Sequence, residues 1–469
     1  MAPLGRVGVR RRKPQNRSDP GPWKFVMSVA ADFVVIASWV VPIEPAGALA
    51  DHAVVVRDGR IQTLLPAAEA RRQYAGLRVV ELPGQVLLPG LVNLHTHAAM
   101  ALLRGYADDL PLMEWLKGHI WPAEARHLSA AFVLDGTRLA CAEMLLGGIT
   151  TFNDMYFFPE AVCQAAVESG MRVVAGIVAV DFPTPYAPDA ATALSRGLAT
   201  RAAFVGEPLA HFALAPHAPY TVSDALFTQV AAVAQREGLP VHCHVHETAE
   251  EVSTAVSATG ERPLARLERL GVLGPNFIAV HAVHLDAADT ELLARRKVHV
   301  AHCPTSNLKL ASGFAPVGVL SRAGINVGLG TDGAASNNRL DLFAELRLAA
   351  LLAKAVAGDA AVWPAQAALR AATLGGAEAL GLGAETGSLM PGKSADFIAV
   401  DLNAPALQPV FDPVSHLVYV AGREQVRHVW VRGEQRVREG ELVAGMAGGP
   451  LTSAALRETA ADWVARLRG

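Results

Sequence analysis

Cysteine is scarce in this chain. Cys141, Cys163, Cys243 and Cys303 are its 4, and no two stand as Cys-x-x-Cys. That spacing argues against a disulfide framework or a cysteine-held zinc site, and it fits a reducing cytoplasm. Charge of one sign is lacking as well. Lys and Arg number 41 against 44 Asp and Glu, a formal net charge of −3, so no basic balance argues for nucleic acid. Long apolar runs are missing near the start, where the stretch Phe33 to Val41 is too short to span a bilayer. Nucleic acid and membrane are therefore both set aside as partners.

What the chain has is apolar bulk. Of its 469 residues 51% are hydrophobic and 18% charged, enough for a large core and too long for a simple single-layer domain. Residues 1–27 differ from the rest. Arg10 to Lys13, Arg17 and Lys24 sit there among Pro and Gly. The segment reads as a disordered extension, or as upstream sequence ahead of a start at Met27, with a basic targeting arm as the other reading. No apolar core segment follows within it, so it is not a secretory signal.

From Ala31 to Leu82 the pattern is short strands and turns, with a hairpin expected around Asp58 and Gly59. Ala395 to Val400 and Val426 to Glu434 read as strands too, and the two ends are expected to pair into one small β-sandwich. Between them, strand-length apolar runs alternate with helical stretches such as Phe132 to Met144 and Ser223 to Arg236. The runs begin at Val86, Gly148, Arg172, His211, Val241, Phe277, Val298 and Val327. Eight β-α units imply an α/β fold with a closed (β/α)8 TIM barrel. In the expected division, residues 28–87 and 389–445 together build the β-sandwich. The barrel runs over 88–388 and a C-terminal helix over 446–469.

His95 and His97 stand two apart at the end of the run from Val86. A strand alternates its faces with that period, so both imidazoles project from one face, close enough to hold one metal ion. His244 with Glu247, His281 and Asp332 each follow a strand of their own, at the ends where barrels carry their chemistry. Asp332 in Gly-Thr-Asp-Gly can bind metal and accept a proton; its plainer reading is an Asx-turn before Gly333. His281 either completes the metal shell or orients water. His242 reads as a hydrogen-bonded core histidine, His246 as a loop residue or a support behind the ligands, and His284, His299 and His302 as structural. Three histidines and an aspartate leave room for a water when the shell expands to five, and the ion lowers that water's pKa toward ~7. Glu247 and Asp332 are the candidates to move protons.

In combination, Asn93-Leu-His-Thr-His97, His244-Val-His-Glu247, His281, Gly330-Thr-Asp-Gly333 and the tail Gly387 to Phe397 resemble the amidohydrolase superfamily, from about Ala31 to Val443. Leu103 to Trp115 with Trp121 to Glu124, Pro216-His-Ala-Pro219, and Ser306 to Leu310 with Asp332 to Asn338 resemble its branch that deaminates 5'-methylthioadenosine and S-adenosylhomocysteine. The resemblance implies that His95, His97, His244 and Asp332 hold one divalent metal, usually zinc. It implies that His281 orients the hydrolytic water and that Glu247 shuttles a proton to the purine ring nitrogen. Glu124 would bind the ribose hydroxyls and His217 the nucleoside. A carboxylate suits a vicinal diol, since it accepts two hydrogen bonds; the plainer reading of Glu124 is a charge near a helix N-terminus after Pro122. A cytoplasmic homodimer is the implied state.

One departure bears on substrate. Members that handle S-adenosylhomocysteine carry an arginine in the strand after Gly-Met-Arg, whereas Gly176 and Ile177 stand in that strand here. A buried carboxylate without a partner is costly, so the uncharged thioether is the expected substrate unless Arg196 supplies the cation. Triazine chlorohydrolases and aminohydrolases share the scaffold and form the alternative. A non-catalytic barrel is a third reading, opposed by intact ligands at every expected strand end.

Overall fold

The computed structural model describes residues 32–443 and 452–468. The expected extension over residues 1–27, residues 28–31 and 444–445 of the expected sandwich, and residues 446–451 and 469 of the expected terminal helix lie outside the described residues. Among those described, the chain opens with β1 (Phe33–Val40), β2 (Leu49–Arg57), β3 (Arg60–Pro66) and β4 (Arg78–Pro89). It continues with β5 (Leu91–Thr96), β6 (Ile149–Asp154), β7 (Arg172–Ala179), β8 (Ala210–Pro216), β9 (Val241–Val245), β10 (Phe277–His281), β11 (His299–His302) and β12 (Val327–Leu329). It closes with β13 (Phe397–Asp401), β14 (Val426–Val431), β15 (Glu434–Arg438), β16 (Glu441–Leu442) and the helix Ser453–Arg468.

β5 to β12 form a parallel sheet in sequence order. Its two ends meet where the Asp332 N–H donates to the His95 carbonyl at 3.0 Å, which brings the first and last strands together as a barrel requires. The helices between the strands start where the sequence offers a cap. Ser129 accepts from the Phe132 N–H at 3.2 Å ahead of the helix Ala130–Leu146, and Ser223 from the Leu226 N–H at 3.3 Å ahead of the helix Asp224–Glu237.

The remaining strands make one eight-stranded sheet in the order β16-β15-β14-β13-β4-β1-β2-β3, so both chain ends contribute to it. Asp58 at φ 50° and Gly59 at φ 72° make the β2–β3 hairpin turn, the pair of left-handed residues a two-residue hairpin needs. Phe33 of β1 stacks on Trp430 of β14 with ring centroids 6.2 Å apart. In a flat sheet, three strand spacings would separate them by about 14 Å. The sheet therefore curls until its inner face packs on itself, which is how a single sheet builds a sandwich-like core.

The run from Val86 does not form one barrel strand. Val86 lies in β4, paired with Val400 of β13 and Trp39 of β1, and the barrel begins only at Leu91. Pro89 and Gly90 make the break. Pro89 has no N–H to continue a ladder, and a Cβ on Gly90 would lie 2.1 Å from the Thr150 hydroxyl. Both halves of the run are buried, so periodicity cannot tell two sheets from one. No helix among the described residues is long and apolar enough to cross a membrane.

Candidate active site

The strand ends place the candidate residues at the C-terminal mouth of the barrel. His95 is the penultimate residue of β5, and His97 lies just past its end, before the 3-10 turn Ala98–Leu103. Their rings still meet at 4.8 Å, although the second has left the strand. His244 belongs to β9; Glu247 follows after His246 turns the chain at φ 54°. His281 ends β10, and Asp332, at φ 62°, lies beyond β12.

The side chains converge. His95 Nε2 is 3.2 Å from His244 Nε2 and 3.2 Å from Asp332 Oδ1, which is 3.3 Å from His97 Nε2. His281 joins His95 and His244 in a second triad whose nitrogens lie within 4.8 Å of one another. The other nitrogen of each ring is occupied elsewhere. His97 Nδ1–H donates to the Met155 carbonyl at 2.6 Å, His244 Nδ1–H to the His217 carbonyl at 2.9 Å, and His281 Nδ1–H to Asn307 Oδ1 at 2.8 Å. His95 Nδ1 meets His242 Nε2 at 2.9 Å. Protons held on Nδ1 leave each Nε2 lone pair aimed at the common centre. Such lone pairs repel one another unless positive charge is shared among them.

The electrostatics agree with that demand. Burial opposes charge throughout the cluster. Against it, the Asp332 carboxylate raises His97 to about 9, and the two imidazoles hold Asp332 well below the usual carboxylate range. His95, wholly enclosed, falls to about 4. One carboxylate among imidazoles that give up any Nε2 proton as they ligate is a donor set that fits a divalent cation. Asp332 is itself fixed by Ser306 and Ser336, whose hydroxyls donate to Oδ2 at 2.6 and 2.9 Å. Its Oδ1 also accepts from the Gly333 N–H at 2.7 Å, one residue on rather than the two that an Asx-turn spans, so the hydroxyls and the imidazoles, not the turn read from the sequence, hold this carboxylate.

Glu247 borders the cluster, its Oε2 3.9 Å from His281 Nε2 and its Oε1 3.5 Å from the Ser312 hydroxyl. Burial raises its pKa above the ordinary carboxylate value, which favours the protonated form of the carboxyl. Both side-chain oxygens of Glu251 accept backbone N–H groups, from His246 at 2.9 Å and Glu247 at 2.8 Å. That bracket fixes the backbone from which Glu247 projects.

Glu124 and His217 line the chamber over the cluster, with Met100, Trp121, Tyr156, Val178 and Phe182 among its walls. The Tyr156 hydroxyl donates to Glu124 Oε1 at 2.7 Å, and burial pushes Glu124 up to about 7. Glu124 does not sit at a free helix start. The residue before its helix, Ile120, is already helical, and the preceding turn Leu116–Ile120 runs on from Leu112. The charge near a helix N-terminus is therefore not the reason for a carboxylate here. His217 Nδ1 pairs with Thr221 Oγ1 at 2.9 Å, and burial lowers its pKa to about 3, so the ring is neutral. No Lys or Arg lines this chamber among the described residues. A Cβ on Gly176 would lie 2.4 Å from the Asp154 carbonyl oxygen, and Arg196 donates instead to the Tyr186 carbonyl.

The other histidines stay outside the cluster's centre. His242 packs beneath His95 as its hydrogen-bond partner. His246 accepts from the Leu264 N–H at 3.2 Å, and His284 pairs with the Ser312 carbonyl at 2.6 Å. Sequence reasoning missed Tyr156, Ser312, Asn307 and Glu251. Glu251 carried a separate signal, the Thr248-x-x-Glu251 spacing of a helix start, and Asn307 lay in the segment Ser306 to Leu310 without a role of its own; Tyr156 and Ser312 carried none.

Comparison with known proteins places the geometry in context. The model of the amidohydrolase family matches residues 86–436. A 5-methylthioadenosine/S-adenosylhomocysteine deaminase of Teredinibacter turnerae is 47% identical over 437 residues, 93% of this chain and 98% of that one. The crystal structure of an adenosine deaminase from Xanthomonas campestris with bound zinc is 49% identical, with a TM-score of 0.91 over 93% of this chain and 99% of that one. Atrazine chlorohydrolase TrzN from Arthrobacter aurescens, also solved with zinc, has a TM-score of 0.83 over 93% of this chain and 100% of that one, but 24% identity. At that identity the likeness is one of fold.

Proposed function

This chain belongs to the amidohydrolase family, and from that premise we propose that it hydrolytically deaminates the adenine ring of 5'-methylthioadenosine to 5'-methylthioinosine and ammonia. The observation that carries the proposal is the set of Nε2 lone pairs converging on Asp332 beside a buried, protonatable Glu247, beneath a chamber that ends in Glu124. His95, His97, His244 and Asp332 would hold one divalent cation, and zinc is the ion present in the adenosine deaminase structure that is 49% identical. When bound there, the cation supplies an activated water at neutral pH.

The protein's own groups do the rest. Glu247 gives a proton to the ring nitrogen beside C6, and Asp332 takes one from the attacking water. His281, held by Asn307, orients that water. As oxygen bonds to C6 that carbon becomes tetrahedral; Asp332 passes the water's proton to the amino nitrogen, the C6–N bond breaks and ammonia leaves, and the remaining O–H proton returns to Glu247 as the C6 carbonyl forms. Glu124 accepts from the ribose hydroxyls with the oxygen that Tyr156 leaves open, and His217 lies against the nucleoside. The absence of a cation on the chamber wall favours methylthioadenosine over S-adenosylhomocysteine, whose carboxylate would be left unpaired.

Ammonia release from adenosine, methylthioadenosine, S-adenosylhomocysteine and a chlorotriazine tests the proposal. Methylthioadenosine is expected to lead; turnover confined to the chlorotriazine would overturn it. The four cysteines are unpaired and buried, which suits a cytoplasmic location. The homodimer rests on the family resemblance alone.

A further inference from the structure

We propose that Trp121 and Phe182 form a partition that fixes the length of the 5' substituent this enzyme accepts. The proposal rests on the deaminase reading above. The chamber over the cluster encloses about 100 Å³, and a second basin of about 830 Å³ lies outside it. Leu112, Trp121, Phe182 and Tyr220 line both spaces, so these four side chains stand between them. Trp121 and Phe182 come from distant stretches of the chain and meet with ring centroids 6.4 Å apart and planes tilted by 53°. Phe182, in the loop after β7, remains 42% exposed.

The order of groups in a nucleoside sets which end meets this wall. The base, the ribose and the 5' substituent follow one another, and C6 lies deep against Glu247 and Asp332. Glu124 sits three residues after Trp121 on one helix, so the two share a face. A ribose held at Glu124 therefore places its 5' carbon toward Trp121. A methylthio group ends against the aromatic faces, which suit a soft, polarizable sulfur. A homocysteine tail would have to pass between the two rings. Beyond them Lys117, Asp181 and Glu250 are among the residues lining the basin, so a zwitterionic tail meets groups of both signs there once it can pass. The selectivity is then an erected barrier as well as a missing contact.

Phe182→Ala, with Phe182→Leu as the milder change, tests the partition. Both nucleosides are assayed for ammonia release by steady-state kinetics and for binding by calorimetry. In Phe182→Ala, kcat/KM for S-adenosylhomocysteine relative to methylthioadenosine is expected to rise by about tenfold or more. Phe182→Leu should fall between, and the ratio of dissociation constants should move the same way. A parallel loss for both nucleosides, or a ratio that does not move, overturns the partition. Failure of the unaltered protein to release ammonia from methylthioadenosine would sink the deaminase reading instead, while the binding ratio would still decide the partition.

Discussion

Glu247 is the residue on which the proposed proton transfers turn. Its carboxyl lies beside the imidazole cluster and supplies none of the nitrogens there, and burial raises its pKa. Glu247→Gln keeps the shape and removes the transferable proton. Bound metal, read by elemental analysis, should be unchanged, while kcat falls by about 10²–10⁴-fold. Glu251 acts one step removed, as a positioning residue that brackets two backbone N–H groups. Glu251→Ala leaves both donors unpaired and loosens the turn at His246. It should lower kcat more than it raises KM for methylthioadenosine, because the proton donor rather than the binding chamber is displaced; an effect on KM alone would contradict this role. The metal-ligating candidates were legible in the sequence because strand ends, period two and ligand chemistry coincide at His95, His97, His244 and Asp332. Tyr156 and Ser312 were not, because hydroxyls at unremarkable spacings acquire a role only from what the fold sets beside them.

The helix Ala130–Leu146 packs directly on the turn that follows His97. A Cβ on Gly136 would lie 2.4 Å from the Ala99 carbonyl oxygen, so the two backbones nearly touch. Gly136→Val drives a branched side chain into that contact. The expected cost is about 1–3 kcal/mol in chemical denaturation, with weaker metal retention because His97 is displaced along with Ala98 and Ala99. A loss of stability with metal retention intact would place the strain elsewhere. The elements themselves were largely readable: the hairpin at Asp58 and Gly59, the helices beginning after Ser129 and Ser223, and the eight barrel runs all carry local signals. The split at Pro89 and Gly90 was not, since apolar residues buried in either sheet look alike.

The barrel and the curled sheet are joined by a buried ion pair. Arg172, at the start of β7, reaches Asp396 at 2.9 Å, and their side chains are only 1% and 0% exposed. Burial alone would raise the Asp396 pKa, but Arg172 beside it brings it below the ordinary value. The sign follows: the pair contributes full stability above the unfolded carboxyl's pKa of about 4, and that contribution is lost as pH falls through the lower folded value. Asp396→Asn leaves Arg172 buried and uncompensated. It should cost about 3–5 kcal/mol at neutral pH and flatten the acid side of the stability curve, as followed by denaturant unfolding at several pH values. An unchanged acid slope would remove Asp396 from that linkage. Nothing in the sequence announced this pair, because its partners are joined only when the barrel and the sheet dock.

On the proposed reading, catalysis depends on one cation held by four side chains from three strand ends. Elemental analysis of the purified protein, read alongside ammonia release from methylthioadenosine, puts that dependence to the test. About one equivalent of divalent metal per chain is predicted, with activity that falls as a chelator strips the ion and returns when zinc is restored. Full ammonia release from protein holding less than about a tenth of an equivalent would contradict it.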